Sequence, residues 1–186
     1  MDGDESVNLE YARALIRWPH RRKALNMTDK PNPEDIKNWN RWFAVECNNG
    51  AWNLASKSRR SPDEDQAMVY LAYSAAYHWS TVENPVNNAR ADTTLSHALS
   101  LAGKGEEALT HANRALAFFE KGEGTDWDIA FSHAEIALAA AVKGDKTLHS
   151  KHYALAKQKG EVIKGEEDRK IFMEEFAKIP SQVRVK

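Results

Sequence analysis

Apolar residues recur every three or four positions along most of this chain, which is the spacing of one face of an α-helix. In the clearest segment they are Met68, Ala72, Ala75, Trp79 and Val82. No segment alternates apolar and polar residues for long enough to indicate a strand. The pattern predicts an all-α protein, with helices at about 6–17, 33–57, 62–82, 85–102, 106–121, 126–143, 146–160 and 165–178.

Capping residues mark the beginnings of several of these helices. Asn32, Ser61 and Asn84 each precede a proline, which is favoured at the first helical position because its missing N–H needs no partner there. Thr125 marks a further start without a proline. Residues 48–50, Asn-Asn-Gly, favour a break within the helix predicted at 33–57.

A weak internal repeat organises the second half of the chain. Residues 95–109 return in altered form at 136–148, so that Leu95 aligns with Ile136 and Gly103 with Gly144. In each copy the glycine is followed by a second helix. The repeat therefore predicts one helical hairpin used twice, which is typical of solenoid proteins.

The two hairpins resemble tetratricopeptide repeats (TPRs). A large and a small residue stand together in the first helix (Leu95-Ser96 and Ile136-Ala137), a glycine ends that helix, and Ala108 opens the second helix of the first copy. In the second copy His149 stands where Ala108 stands in the first, and the spacing of about forty exceeds the usual 34. The whole chain is similar to small bacterial proteins built from TPR-like helices.

This resemblance implies a short right-handed solenoid of antiparallel helical hairpins. We expect a single domain over 1–186, with an N-terminal helix and linker at 1–32 and a divergent hairpin at 33–82. Two TPR-like hairpins follow at 85–160, and a capping helix at 165–178 closes the array, because an open solenoid end needs a polar cover.

Bulk composition narrows the compartment and the partners. The formal net charge is −1, so no strong field directs the chain to nucleic acid or to an anionic membrane. Cys47 is the one cysteine, which favours a reducing, cytoplasmic location. The N-terminal sequence has no basic start followed by an apolar run, so we expect no signal peptide.

Polar residues at one-turn spacing form a stripe on the helix predicted at 85–102. These are Arg90, Thr93 and His97, and in TPR arrays the corresponding helices line the concave groove. Arg90 can hold a carboxylate or phosphate through two parallel hydrogen bonds. His97 can donate, accept or exchange a proton near neutral pH. A solvated polar face is the alternative interpretation of the same stripe.

Further candidate ligand contacts lie on neighbouring helices. The polar and aromatic candidates are His78, Trp79, Asn87 and Glu135, and the apolar contacts are Tyr70, Tyr73 and Tyr77. The tyrosines form a second stripe, and a helix that is apolar on two faces is usually sandwiched between neighbours. Trp79 lies on the apolar stripe, which favours a core position over a ligand contact. The same core position is expected for the aromatic residues of the helix predicted at 33–57: Trp39, Trp42, Phe43 and Trp52.

Two functions remain open. The first is a non-catalytic scaffold that binds a protein or peptide segment in its concave groove, since the chain has no complete catalytic motif. The second is a closed small-molecule pocket, sensory or enzymatic, between the aromatic N-terminal helices and the first repeat. Neither function calls for a cofactor or a metal. His149 and His152 share one helix face, but no matching acid or cysteine accompanies them.

Tryptophans in the first third of the chain predict self-association. Trp18, Trp39, Trp42 and Trp52 precede the confident repeats, and a leading face this apolar can be covered by a second copy about a two-fold axis. A possible homodimer is therefore among the expected partners. The alternative is that the helix at about 6–17 folds back and covers the face within one chain.

Overall fold

The computed structural model describes residues 31–183, which contain seven α-helices and no strand. The all-α prediction is therefore confirmed for this part of the chain, with boundaries that differ by at most a few residues. The predicted helix at about 6–17 lies outside the described residues, and so does the predicted linker except its last two residues. The helices are α1 (Pro33–Ala55), α2 (Pro62–Ser80), α3 (Pro85–Leu101), α4 (Gly105–Phe118), α5 (Asp126–Lys143), α6 (Lys146–Glu161) and α7 (Glu166–Phe176).

Helix α1 is continuous, so the predicted break at residues 48–50 is wrong. The residues that favoured a break are packing positions instead. The Asn48 side chain accepts a hydrogen bond from Thr94 of α3 at 2.8 Å. Gly50 faces Leu71 of α2, whose Cδ1 would lie 3.1 Å from an added Cβ. Small and hydrogen-bonded residues here let α1 lie close to its neighbours.

Capping at the starts of α2 and α3 follows the sequence pattern. The Ser61 hydroxyl accepts from the Glu64 N–H at 3.2 Å, and the Glu64 carboxylate accepts from the Ser61 N–H at 2.9 Å. Asn84 accepts from the Asn87 N–H at 3.0 Å. These bonds satisfy backbone donors that a helix start otherwise leaves unpaired, and so they fix where each helix begins.

The two repeated hairpins, α3–α4 and α5–α6, begin and turn at matching positions. Asn84 and Thr125 precede the first helices, and Gly103 and Gly144 end them with φ of 77° and 87°. Lys104 and Asp145 then precede the second helices. The same spacing separates the members of each pair, so the register of the sequence repeat is also that of the helices. A π-helical turn, Phe119–Glu123, supplies the extra length between the hairpins.

Two apolar clusters hold the helices together. The first joins α1, α2, α3, α4 and α5 through buried residues of each helix: Ala51, Met68, Leu95, Leu99, Leu109 and Ile136. The second joins α5, α6 and α7 through Phe131, Ala156, Ile163, Phe172 and Phe176. The last helix therefore packs against the second hairpin, and this contact brings α7 beside α5.

Several aromatic residues of α1 and α2 are exposed, contrary to expectation. Trp39 and Trp42 are 52% and 58% exposed, and Phe43 is also exposed, so these rings are not core. The tyrosine stripe of α2 is not sandwiched between helices, because its members point outward: Tyr70, Tyr73 and Tyr77. Helix α1 buries only alanines, Ala44 and Ala51, whereas α2 buries Met68, Val69, Ala72 and Ala75 and leaves its tyrosine stripe outside.

Candidate functional site

A cleft of about 330 Å³ is enclosed by four helices of the described chain. We call it the cleft throughout. It is lined mainly by aromatic and apolar groups, with one arginine, two acids and three small polar residues. Its lining residues are Asn48 and Trp52 of α1, Arg90, Thr93 and Thr94 of α3, Trp127, Asp128 and Phe131 of α5, and Ile171 and Glu175 of α7.

An ion pair joins two walls of the cleft. Arg90 donates from Nε and NH2 to the two carboxylate oxygens of Asp128, at 2.8 and 2.9 Å. The Asp128 side chain is 2% exposed and the Arg90 side chain 44% exposed. This two-point geometry is the strong form of an arginine–carboxylate pair, so Arg90 is fixed in place although its side chain faces the cleft.

Asp128 has no capacity left for a ligand. Its oxygens also accept from the Thr125 N–H and hydroxyl, at 3.0 and 2.9 Å, and from the Trp127 indole N–H at 3.1 Å. Burial raises the pKa of Asp128, but hydrogen bonds from Arg90 and Thr125 outweigh burial and lower that pKa. The group is a fixed anion that orients Arg90.

The opposite wall of the cleft is the indole ring of Trp52. Its N–H donates to the Thr94 hydroxyl at 3.1 Å, and that hydroxyl donates to Asn48 at 2.8 Å. Because the polar edge of the ring is used within the protein, the part of the ring that faces the cleft is left for apolar contact.

Behind Trp52 lies a buried histidine–glutamate pair. His97 Nδ1 donates to Glu135 Oε1 at 2.9 Å, and the side chains are 12% and 3% exposed. The imidazole stacks on Trp52, with ring centroids 4.5 Å apart and planes 28° apart. Burial lowers the pKa of His97, but the Glu135 charge and hydrogen bond outweigh it, so the net pKa is raised.

The structure brings together only some of the residues predicted as ligand contacts. Arg90 and Thr93 line the cleft, and His97 and Glu135 lie behind it. Asn87 lies at the start of α3, where its backbone N–H is bonded to the Asn84 cap, and it does not line the cleft.

Two further candidates of α2 lie apart from the cleft. His78 donates to Asn40 of α1 at 2.7 Å and stacks on Phe43, with ring centroids 5.4 Å apart. Trp79 is half-buried and is not among the cleft residues. The structure therefore does not bring His78 and Trp79 to the cleft beside Arg90, and His78 is engaged in the contact between α1 and α2 instead.

Of the three tyrosines on α2, Tyr73 contacts α4 rather than the cleft. Tyr73 donates to Glu107 at 3.3 Å, and its ring meets the His111 ring edge-on. Nearby, buried Asp92 accepts from Arg114 and from His111, the latter at 3.0 Å. Tyr70, Tyr73 and Tyr77 are not among the residues that line the cleft.

A second buried pair lies between α5 and α6, where His133 and His152 approach to 3.0 Å between Nδ1 atoms. His149 turns away and donates to the Pro180 carbonyl at 2.8 Å, so the two histidines of α6 do not share a ligand. In residues 31–183, no group of three or more histidine, cysteine or acidic side chains is arranged to hold a metal.

Sequence patterns missed eight of the ten residues that line the cleft: Asn48, Trp52, Thr94, Trp127, Asp128, Phe131, Ile171 and Glu175. From the sequence, Asp128 could be recognised only as an acid in the first turn of its helix. It has that capping role in the structure as well. Ile171 was grouped with the core of the C-terminal helix. Trp52 was interpreted as part of an apolar leading face. Only the packing of α1 and α7 against α3 and α5 gives these residues a shared site.

No helix in the described part of the chain has the length and apolar character needed to cross a membrane. A comparison with protein-family models, with curated proteins and with solved structures finds no match to this chain.

Proposed function

We propose that this protein is a short, right-handed TPR-like solenoid that acts as a non-catalytic scaffold and binds a protein or peptide segment in the cleft. One observation carries the proposal: every lining residue comes from α1, α3, α5 or α7. These are alternate helices along the chain, and alternate helices line the concave groove of a TPR array. The single cysteine supports a cytoplasmic location.

The chemistry of the cleft suits a segment with a bulky apolar side chain. Trp52, Trp127, Phe131 and Ile171 offer apolar surface, and the two indole N–H groups are already bonded within the protein. Asp128 engages two of the five N–H donors that a guanidinium carries. The remaining donors of Arg90 can bond a backbone carbonyl or an acidic group of the bound segment.

The same observations keep a small molecule as the second candidate. A volume of about 330 Å³ lies at the lower end of the range of small-molecule sites, which are concave and mostly apolar with a few fixed polar groups. A sensory or enzymatic pocket of this size would use Arg90 in the same way. The two candidates differ in whether the ligand is a part of a longer chain.

Selection from a displayed library of random peptides tests the proposal. We expect peptides with a bulky apolar residue to be enriched, and Arg90→Ala to weaken their binding by about tenfold, the effect of one hydrogen bond to a charged group. Arg114→Ala is the matched control, because Arg114 also pairs in two-point fashion with a buried aspartate, Asp92, but on the other surface. Binding constants are measured by titration.

Three results separate the candidates. Equal weakening by both arginine variants means that general loss of stability, not the cleft, explains the effect. Failure to enrich any peptide rejects the scaffold. Tight binding of a small apolar acid such as N-acetyl-leucine, at the affinity of the best peptide, supports the small-molecule pocket instead.

We also propose that the chain forms a homodimer through the exposed aromatic face of α1. Trp39, Trp42 and Phe43, together with Ile36, form this face, and identical apolar patches pair about a two-fold axis. Light scattering measures the mass directly. A mass of 21.0 kDa at micromolar concentration would reject the dimer, and Trp42→Glu should dissociate it.

A further inference from the structure

We propose that His97 and Glu135 form a proton-dependent clamp on Trp52, so that His97 is a positioning residue for the ligand cleft. This inference rests on the proposed function, since it concerns the wall of the same cleft. His97 does not line the cleft, but Trp52 does, so His97 acts through the Trp52 ring.

Two contacts fix the Trp52 ring. At its edge, the indole N–H is bonded to Thr94. On its face, the His97 ring is stacked with centroids 4.5 Å apart. A protonated imidazole at this distance attracts the electron-rich indole face, a cation–π contact that is stronger when water is excluded. Loss of the proton leaves only the apolar part of this stack.

Glu135 favours the protonated form of His97. Its Oε1 accepts from His97, while its Oε2 is buried without a hydrogen-bond partner. A buried carboxylate in that state depends on the charge of its neighbour. Deprotonation of His97 would leave the carboxylate uncompensated, so the pair stabilises the charged imidazole and the charged imidazole holds the ring.

Other charged groups near His97 act on its pKa in opposite directions. From the C-terminal segment, Glu175 favours the protonated form and Lys178 opposes it, and these two side chains are themselves paired at 2.6 Å. Arg90, two turns earlier on α3, is committed to Asp128. Helix α1 contributes the neutral Trp52. Glu135 is therefore the group that decides the charge of His97.

The direction of the effect follows from these contacts. Below the pKa of His97 the clamp is closed and Trp52 is fixed as a wall of the cleft. As pH rises through that pKa, the cation–π contact is lost and the ring becomes free to turn. Ligand affinity should fall by about two- to tenfold across this transition.

Fluorine NMR of the full chain labelled with 5-fluorotryptophan tests the clamp without a ligand. The chain has six tryptophans, and Trp52→Phe identifies the resonance of Trp52. Between about pH 6 and about pH 9.5, that resonance should shift with a midpoint above the ordinary histidine value of about 6.5. Trp127 lines the same cleft and should not follow the transition, which makes it an internal control.

Two conservative variants distinguish a clamp from a merely structural contact. Glu135→Gln removes the charge, so the midpoint should fall by roughly one unit or more. His97→Gln should abolish the transition and make the affinity for the selected peptides independent of pH. His133→Gln, which alters a histidine outside the cleft, should leave the transition in place.

Specific outcomes overturn the clamp. A Trp52 resonance that does not move, that moves together with Trp127, or that still moves in His97→Gln contradicts it. If the resonance behaves as expected but peptide selection yields nothing, the scaffold function fails and the clamp stands. If peptides bind with the same affinity on both sides of the midpoint, the ring moves without controlling the ligand and the positioning role is rejected.

Discussion

Hairpin α3–α4 and hairpin α5–α6 turn at matching residues, yet they bury different polar pairs between their two helices. In the first, Asp92 accepts from His111 at 3.0 Å. At the corresponding positions of the second, His133 meets His152, also at 3.0 Å. One backbone arrangement thus holds a carboxylate–imidazole pair in one copy and two imidazoles in the other.

The two pairs respond to acid in different pH ranges. Burial raises the pKa of Asp92, but the hydrogen bonds from His111 and Arg114 outweigh it, so that pKa is lowered. Burial and the charges of His152, Lys159 and Lys151 lower the pKa of His133 to about 4. Asp92 therefore stabilises the fold until strongly acidic pH, whereas the imidazole pair loses its contribution at mildly acidic pH. Position in a repeat sets the geometry, and residue identity sets the pH response.

The hairpins also differ in how they cover the end of the second helix. Phe119 of the first hairpin is buried there, and Gly160 stands at the corresponding position of the second. A Cβ on Gly160 would lie 2.0 Å from the ring of Phe172, so α7 supplies the aromatic ring that the hairpin lacks. The second hairpin is completed by a separate helix.

The largest expected effect comes from removing these rings. Phe172→Ala and Phe119→Ala should each lower the free energy of unfolding by about 3–5 kcal/mol, since each deletes a fully buried aromatic side chain. Urea denaturation followed by circular dichroism measures both values. If Phe172→Ala costs less than about 1 kcal/mol, α7 does not complete the second hairpin.

The pH response gives the next largest effect. His133 is neutral in the fold, so its contribution is complete above the unfolded value of about 6.5 and is lost as pH falls toward about 4, on the order of 2–3 kcal/mol. His133→Asp copies the first hairpin and should remove most of this loss. Urea denaturation at several pH values measures it.

The His133 pair and the His97–Glu135 pair should change the free energy of unfolding with pH in opposite directions. The pKa of His97 is raised, so its contribution is present at mildly acidic pH and is lost as pH rises through that pKa. An equal acid slope in wild type and in His133→Asp would assign the loss to groups other than the imidazole pair.

Breaking the pair of the first hairpin should cost less. Asp92→Asn removes the charge that Arg114 and His111 bond, but the Arg114 side chain is 61% exposed and recovers water. We expect a loss of about 1–2 kcal/mol, the range for hydrogen bonds to a charged group. A loss near zero at neutral pH would show that the buried carboxylate is offset by its own desolvation.

The smallest effect is expected at the shared turns. Gly103 and Gly144 adopt positive φ, and an added Cβ at either meets nothing within 4 Å. Gly103→Ala and Gly144→Ala should each cost about 1 kcal/mol, from the backbone alone. Thermal unfolding of the two variants checks that the values agree. A clear difference would mean that the turns are not equivalent.

Much of the fold could be predicted from the sequence, because helix caps, glycines and helix periodicity are local signals. Ser61, Asn84, Gly103 and Gly144 fixed helix ends to within a few residues. Burial was harder to predict. Trp39 and Trp42 are of a residue type common in cores, but the helix that carries them buries its alanines instead. His149, which departs from the small residue of the repeat pattern, is accommodated because Pro180 supplies an acceptor from beyond the last helix.

The candidate site was predicted only in part, because its residues come from four different helices. Arg90 and Thr93 stand out on one helix and can be found by spacing. Trp52 and Ile171 carry no local signal, since their roles depend on which helices become neighbours. His97 and Glu135 were recognised as titratable groups, but their pairing behind Trp52 required the packing of α3 against α5.

The matching turns give the chain a modular construction. A unit from Pro85 to Thr125 carries its own helix start, its own glycine turn and the capping threonine of the next unit. A second copy of this unit placed after Thr125 would begin at a helix cap that already exists. The inserted Arg90 would then stand next to Asp128, and the original Arg90 would lose that partner. Lengthening the chain by a whole unit would therefore preserve the turns but move the ion pair of the cleft to the inserted copy.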